Sequence, residues 1–579
     1  MSDASPLSED APLAERVRAN PRPGLLWALG LFAFVAVEFG ALATAITGPV
    51  PWNVLYELPA GLVGGATVTS VASVVVLVST IVCGAVGFYV QSKTNTLRAG
   101  AAGTLALLVG VGVAASIGGV LLYAFVALGL LAGLGLLAGG YTRDSPRAMV
   151  FGVVVLVVGL IGLESVVSFP TLLTRELFPN QGHRLPGGGW EGPFLGLSPA
   201  LAWAFRVVLV YAYAFGLLWW CWRGYRTFRQ HYRYADWTPR DDMIDRLSGH
   251  YWGLFGFLVV FMFVTMAVFA PPLGPTTVEQ NINNPYSYQI EYLTDSGAVE
   301  SITAGDANIG SSSAGNPDRN VGVMQYDDFG RFHPFGTLVS GKDMFTFMAA
   351  GARVSLFIGL LSIGVAGLIA TGLALVTAYY KGLADLIVVI TSDSIQSLPR
   401  LLLIILMSVV FAGTGIAKVY SGGLLLALIF AATSWPFLWR AVRGPAFQIA
   451  EQEWIDAARS FGQAPHKTMQ KHMAPYILGY LLVYGSLSLG GIIIATAALS
   501  FLGLGIQPPT PEWGRAVNLG RSYIATVSWH ISTIPGILVV IVVTGFNAFG
   551  DGIRDAIDPQ SEGGSDAADE GVAAAGGGG

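Results

Sequence analysis

Residues 336–343 read Gly336-Thr337-Leu338-Val339-Ser340-Gly341-Lys342-Asp343. This is one position away from the phosphate-cradling loop G-x-x-x-x-G-K-[ST]. The last position decides against a nucleotide. Magnesium needs a Ser or Thr hydroxyl there, and the Asp343 carboxylate would repel the phosphates. No other stretch fits this loop. His183, His231, His250, His333, His466, His472 and His530 are dispersed, without H-E-x-x-H or comparable zinc spacing. A G-x-S-x-G nucleophile elbow is also absent. The sequence therefore predicts no catalysis by this chain, no resident cofactor and no metal.

A second kind of chemistry, mechanical contact, is written in residues 451–475, EQEWIDAARSFGQAPHKTMQKHMAP. Trp454, Ala457, Ala458 and Phe461 recur at helical spacing and predict one apolar face. Glu453 and Arg459 point elsewhere. Ala457 and Ala458 keep the face thin, so another protein surface can come close. Gly462 ends the helix, because glycine takes the left-handed backbone of a C-cap without penalty. Lys467, Lys471 and His472 form a second, basic stretch, and Pro475 marks entry to the next apolar run. An amphipathic helix lying on lipid would show the same periodicity, so spacing alone leaves both readings open.

The elements around these residues follow from composition. Of 579 residues, 53% are hydrophobic and 12% charged, against roughly 25% charged in a soluble domain. Mean hydropathy is +0.60. Such a chain cannot cover a water-facing surface and is an integral membrane protein in contact with the lipid bilayer. A net charge of −5 excludes a generally basic surface, so no nucleic-acid partner is expected. Cys83 and Cys221 both lie in apolar runs, which argues against a disulfide framework.

A crossing helix needs about 20 apolar residues, and twelve stretches qualify. The first set is 25–47, 67–90, 100–117, 119–140, 148–169 and 201–222. The second is 250–272, 354–379, 386–412, 421–438, 477–504 and 532–550. The fold class is thus an all-α polytopic membrane protein with about 12 transmembrane helices. Arg16, Arg18 and Arg22 precede the first span; Lys93 and Arg98 follow the second, Arg143 and Arg147 the fourth, and Arg223, Arg226, Arg229 and Arg233 the sixth. The bias of Lys and Arg to cytoplasmic loops then places both termini in the cytoplasm of a plasma-membrane protein. Residues 1–24 read as a cytoplasmic tail, 25–222 as a six-helix membrane extension and 223–249 as a basic cytoplasmic linker. Residues 273–345 are too polar to span and read as an extracytoplasmic segment, and 557–579 as an acidic disordered tail. Glu38, Glu164 and Asp393 fall in or at the edge of apolar spans, where ionisable groups face a protein interior and often mark a pathway. For Glu38 and Glu164 the expectation is a protonated carboxyl bonded between helices.

The order of residues in 451–475 resembles the EAA loop of importer permeases of the ATP-binding-cassette family. Asp456-Ala457-Ala458, Gly462 and Pro475 stand at the family spacing. Asp replaces Glu, His472 replaces an Ile and Ala474 replaces a Leu. HPFGTLVSGKDMFTFMAAGARVSL (333–356), DSIQSLPRLLL (393–403), SWPFLWRAVRG (434–444), ALSFLGLGIQPPTPEWG (498–514) and FNAFGDGIRDAIDP (546–559) are similar to further stretches of the same core, in the same order. The family is the second, C-type permease subunit of dipeptide, oligopeptide and nickel importers.

This resemblance implies a six-helix permease core, with a first helix at 250–272 and the remainder at 346–556. It implies a homologous B-type permease as partner, two ATPase subunits that hydrolyse ATP, and an extracellular substrate-binding protein that delivers peptide. The ATPase-coupling residues would be Glu453, Trp454, Asp456, Ala457, Ala458, Phe461, Gly462, His472 and Pro475. Ala457 and Ala458 would form the contact face, Asp456 a polar anchor at a groove rim and Gly462 the turn. Asp393 stands where the family also has Asp and, with Pro399, is a pathway candidate. The extension is not covered by the resemblance. It reads as a packing collar, as a site for a lipid or another subunit, or as a conducting module. An ion-coupled secondary transporter without an ATPase is the alternative function. It would need paired discontinuous helices in inverted halves and would leave the 451–475 loop without a purpose.

Overall fold

The structure, a computed structural model, describes residues 13–47, 177–233, 238–313 and 319–557, together with Thr171 and Asn316. The expected spans 67–90, 100–117, 119–140 and 148–169, Glu164, Cys83, residues 1–12 of the first tail and residues 558–579 of the last lie outside the described residues. The chain divides into two compact units, Met1–Asn180 with Gly192–Asp236, and Gln181–Glu191 with Trp237–Gly579.

In the first unit, α1 (Leu13–Ala19), α2 (Pro21–Val37), α3 (Phe39–Thr47) and α4 (Pro199–His231) are described. The stretch 25–47, expected as one span, is broken at Glu38, whose side chain is buried. Ser198 caps α4 by accepting the Leu201 amide. The helix then continues through His231, so residues 223–231, expected within the linker, form its last turns. Trp27 Nε1 donates to the Trp220 carbonyl at 3.0 Å, and Trp220 Nε1 returns a bond of the same length to the Trp27 carbonyl. Gly30 and Gly224 permit this crossing. A Cβ on Gly30 would fall 2.0 Å from the Trp220 ring, and one on Gly224 2.3 Å from Trp27 Nε1.

The second unit begins with β1 (His183–Arg184) and β2 (Trp190–Glu191), followed by α5 (Pro239–Gly249) and the apolar α6 (Tyr251–Val268). The polar segment is folded. It holds the hairpin β3 (Gln289–Leu293) and β4 (Val299–Thr303), then α7 (Ala304–Gly310), β5 (Gln325–Tyr326) and β6 (Phe332–His333). The all-α expectation is corrected to this extent: among the described residues three two-stranded antiparallel pairs accompany the helices.

The bundle follows: α8 (Met344–Tyr380), α9 (Gly382–Ser397), α10 (Arg400–Val410), α11 (Gly423–Ala450), α12 (Glu453–Ser460), α13 (Pro465–Thr468), α14 (Ala474–Phe501), α15 (Trp513–Gly520) and α16 (His530–Ile557). By length and hydropathy α4, α6, α8, α11, α14 and α16 can each cross a membrane, the windows around α11 and α14 starting a few residues earlier. Residues 386–412, expected as a single span, are instead two helices, α9 and α10, bent by 88°. Leu398 precedes Pro399 and is extended, with φ −81° and ψ 140°. The proline ring disfavours helical backbone at the residue before it, and the rod breaks there.

Small residues set the packing. Ala366, Ala370, Ala374 and Ala378 line one stripe of α8 and are fully buried against Ala431, Trp435, Leu438, Trp439, Val442 and Ala446 of α11. In lipid, burial of apolar surface drives little helix association, so close approach through small side chains supplies the attraction. Gly256 lets α6 touch α16, since a Cβ there would lie 2.2 Å from the Phe549 nitrogen.

The motif side chains bind these helices to each other. Arg353 donates to the carbonyls of Ala267 and Val268 at 3.1 and 2.9 Å and closes the end of α6. Arg400 reaches Ser434 Oγ at 2.7 Å. Trp513 Nε1 donates to the Met348 carbonyl at 2.7 Å. The loop that nearly matches a nucleotide site is packing material. A Cβ on Gly341 would lie 1.7 Å from the Asn308 carbonyl, and Asp343 caps α8 through the Thr346 amide at 2.7 Å.

Candidate functional site

The segment 451–475 folds into two short helices between the long α11 and α14. Residues Glu453–Ser460 form α12, one side of which is anchored by a single apolar residue. Ile455 is fully buried in the cluster made by the α8 alanine stripe, Trp439, Met473 and Ile477. Arg459 provides the second anchor. Its guanidinium lies 4.3 Å from the Tyr379 ring centroid and donates to the Tyr379 carbonyl at 3.3 Å. Cation–π stacking of this kind contributes about 0.5–2 kcal/mol. Glu451 joins Lys381 at 3.1 Å, so the start of the loop is tied to the turn between α8 and α9.

The opposite side is bare. Trp454 is 46% exposed and Phe461 is 91% exposed, the highest exposure among the large hydrophobic side chains described. Ala457 is exposed and Ala458 half-buried between them. The four residues expected to form one apolar face are therefore brought together on the surface of the bundle, with the two alanines between the larger side chains. Trp454 packs at its edge near Tyr476, with ring centroids 6.2 Å apart. Asp456 and Glu453 are exposed. Asp456 lies 3.6 Å from Arg459, which turns away from the Trp454–Phe461 face and onto Tyr379, as expected of it.

Gly462 has φ +73°, and the chain leaves α12 through it. The Gln463 amide bonds back to the Ala458 carbonyl at 3.0 Å and the Gly462 amide to that of Arg459 at 2.9 Å. This pair of bonds is the Schellman arrangement, and it fixes the direction of exit. The helix is too short to be stable by itself. Its order comes from Ile455, Arg459 and this cap. Pro465–Thr468 then makes α13, a π-turn spans Met469–Met473 with His472 half-buried in it, and Pro475 lies in the first turn of α14.

Of the pathway candidates, Asp393 on α9 forms an ion pair with Arg440 of α11. Pro399 is the N-cap of α10, at the bend. Nearer the start of α9, Asp385 takes a forked bond from Arg443 of α11, with Nε to Oδ1 at 2.7 Å. The Arg443 guanidinium also stands 4.9 Å from the Phe447 ring centroid. Sequence reasoning missed Ile455 and Asp385. Arg443 was visible only as part of a motif, and the signal that could have paired it with Asp385 was the two opposite charges placed near the same end of adjacent apolar runs.

The family described as "Binding-protein-dependent transport system inner membrane component" matches residues 365–562, which include α12, the cap and the α9–α10 bend. The chain is 36% identical over 228 residues to the glutathione transport system permease protein GsiD of Pectobacterium atrosepticum, covering 39% of this chain and 73% of that protein. It is 36% identical over 231 residues to the protein of the same name in Escherichia coli O6:K15:H31 and in Shigella boydii serotype 4, covering 40% of this chain and 73% of theirs.

Proposed function

Because the chain belongs to the family of binding-protein-dependent transport system inner membrane components, permease subunits of ATP-binding-cassette importers, we propose that it forms half of the translocation pathway for short peptides. It couples to separate ATPases through α12. The other half is a homologous B-type permease, two ATPase subunits hydrolyse ATP, and an extracellular binding protein delivers substrate. Both termini face the cytoplasm of the plasma membrane. Glutathione, named for the relatives above, is itself a tripeptide, so di- and oligopeptides of that size are the substrate class; nickel chelates are the second cargo to assay.

One observation carries the coupling role. A helix with Ile455 buried behind it, and with Trp454, Ala457 and Phe461 exposed and Ala458 half-buried in front, is rigidly held yet offers an apolar face to a partner. Displacement of that face by a closing ATPase would pass through Ile455 and Arg459 into α8 and α14, where a floppy loop would absorb it. Asp456 and Glu453 give the rim its charge, and Gly462, His472 and Pro475 set the return path. The test is uptake of labelled glutathione and of a dipeptide by cells carrying the complete transporter. Ala458→Glu should abolish ATP-driven uptake while membrane insertion stays normal. Unchanged uptake by the inserted variant would overturn the coupling role; uptake of neither peptide by the wild type would overturn the substrate class alone.

A further inference from the structure

The first unit holds a cavity of about 610 Å³ at the crossing of α2 and α4, lined by Arg22, Trp27, Trp219, Trp220, Arg223 and Arg226 among others. We propose that it binds the phosphate headgroup of an anionic phospholipid, with the indoles and an adjoining apolar track holding the lipid's glycerol and acyl region. This goes beyond the transport reading and does not depend on it.

Four observations carry the assignment. First, the site is built rather than incidental: the reciprocal Trp27–Trp220 bonds and the glycines at 30 and 224 fix its wall. Tyr232 closes the neighbouring corner by accepting from the Gly24 amide at 2.8 Å and donating to the Asn20 carbonyl at 2.7 Å. Second, the charge has one sign. Among the described residues no carboxylate pairs with Arg22, Arg223 or Arg226. Arg223 is steered over the rings of Trp219 and Trp220, at 5.7 and 5.3 Å, which leaves guanidinium N–H groups for an oxyanion. Third, tryptophans beside arginines at the end of apolar helices mark a membrane–water boundary, and a basic pocket between helices there suits a lipid phosphate. Fourth, Leu26 lines the cavity beside the arginines, and Leu25, Leu29 and Phe32 continue along α2; all four are more than half exposed. That is a path for acyl chains. A soluble phosphate would use the arginines and leave this track and the indoles without a role.

The test uses the full chain in nanodiscs of phosphatidylcholine containing a small fraction of phosphatidylglycerol, with retained lipid counted by native mass spectrometry. Phosphatidylglycerol should be enriched over phosphatidylcholine, and retention should fall about fivefold for each arginine removed in the Arg22→Gln, Arg223→Gln and Arg226→Gln series. The matching Lys series, which keeps the charge, should retain most of it. Equal retention of the two lipids by the wild type, or an undiminished preference in the Gln series, overturns the proposal. So does displacement of phosphatidylglycerol by inorganic phosphate, which would mark a site for soluble phosphate. If the triple Gln variant does not fold, Arg226→Gln alone is read against the same fivefold expectation.

Discussion

His333 Nδ1 lies 2.9 Å from Asp343 Oδ2, and Asp343 Oδ1 accepts the Thr346 amide at 2.7 Å. One buried carboxylate thus closes the polar segment and begins the 37-residue α8. On its other side, His333 Nε2 stands 3.4 Å from Asp327 Oδ2, which also takes Arg331 Nε at 2.7 Å. The His333, Asp327 and Asp343 side chains are at most 2% exposed. Asn281 grips Asp343 by main chain only, accepting its amide at 2.8 Å and donating to its carbonyl at 3.0 Å. The segment between α6 and α8 is therefore riveted to the helix it precedes.

This rivet should loosen at alkaline pH. Burial works against a charged imidazole, but the carboxylates of Asp327 and Asp343 overcome it and raise His333 above its ordinary 6.5. Burial likewise opposes the Asp327 carboxylate, yet the His333 bond and the Arg331 charge hold it down to about 2, from 3.8. The signs differ. The His333 contribution is complete below 6.5 and disappears as pH climbs through its raised value. The Asp327 contribution is present above 3.8 and disappears as pH falls through about 2. Hydrogen exchange of 323–345 should speed up on the alkaline side, beyond the intrinsic rise. The His333→Gln variant should lack this step. Identical pH profiles for the two proteins would refute the rivet.

The Ile455→Ala change separates anchoring from docking. Removing a fully buried aliphatic side chain costs about 2–5 kcal/mol. Here the loss falls on a helix of 8 residues with few other anchors. Exchange protection of 453–461 should collapse and uptake should fall. Trp454→Ala, on the bare face, should lower uptake while protection stays at the wild-type level. Matching exchange patterns in the two variants would mean that the two sides of α12 do not have separate roles.

Gly462 tests the cap. Its φ of +73° is strained for an L side chain, yet a Cβ there would meet nothing within 4 Å. The cost of Gly462→Ala is then backbone alone, roughly 1–2 kcal/mol. Gly462→Asn should be milder, because Asn visits this region more readily. Gly462→Asp adds a charge beside the exposed apolar face proposed to dock an ATPase and should abolish uptake with insertion intact. The expected order of uptake is Gly, Asn, Ala, Asp; Asp performing as well as Asn would remove the docking face from the explanation.

The face of α12 was legible because the 3.6-residue period is local: Trp454, Ala457, Ala458 and Phe461 declare it within eight positions. Ile455 was not, since its burial depends on Ala374, Trp439 and Ile477, which are distant in sequence. The bend at Pro399 had a local signal, a proline inside an apolar run, that was outweighed by the run's continuous hydrophobicity. The arginines after Trp222 suggested a linker; long cationic side chains, however, extend from a helix end into water without stopping the helix, and α4 runs on to His231. The hairpin of β3 and β4 was hidden by a polar composition that says "outside the membrane" but not what shape is taken there.

The forked Arg443–Asp385 pair should matter more than the Arg440–Asp393 pair on the same two helices. Asp385 is 17% exposed and its partner 37%, whereas Asp393 and Arg440 are about half exposed. Screening by solvent reduces the second pair to about 0–1 kcal/mol. The first adds charge-assisted hydrogen bonds of about 1.5–3 kcal/mol and stacks Arg443 between Trp439 and Phe447, with ring centroids 5.6 and 4.9 Å away. Arg443→Lys keeps the charge but loses the fork and the stacking. Thermal unfolding in nanodiscs should therefore rank Asp385→Asn and Arg443→Lys well below Asp393→Asn, with strong non-additivity in the Asp385→Asn, Arg443→Lys double variant. If Asp393→Asn proves the most destabilising of the three, Asp393 carries a structural load that its exposure does not explain, and its place as a pathway candidate would fall first.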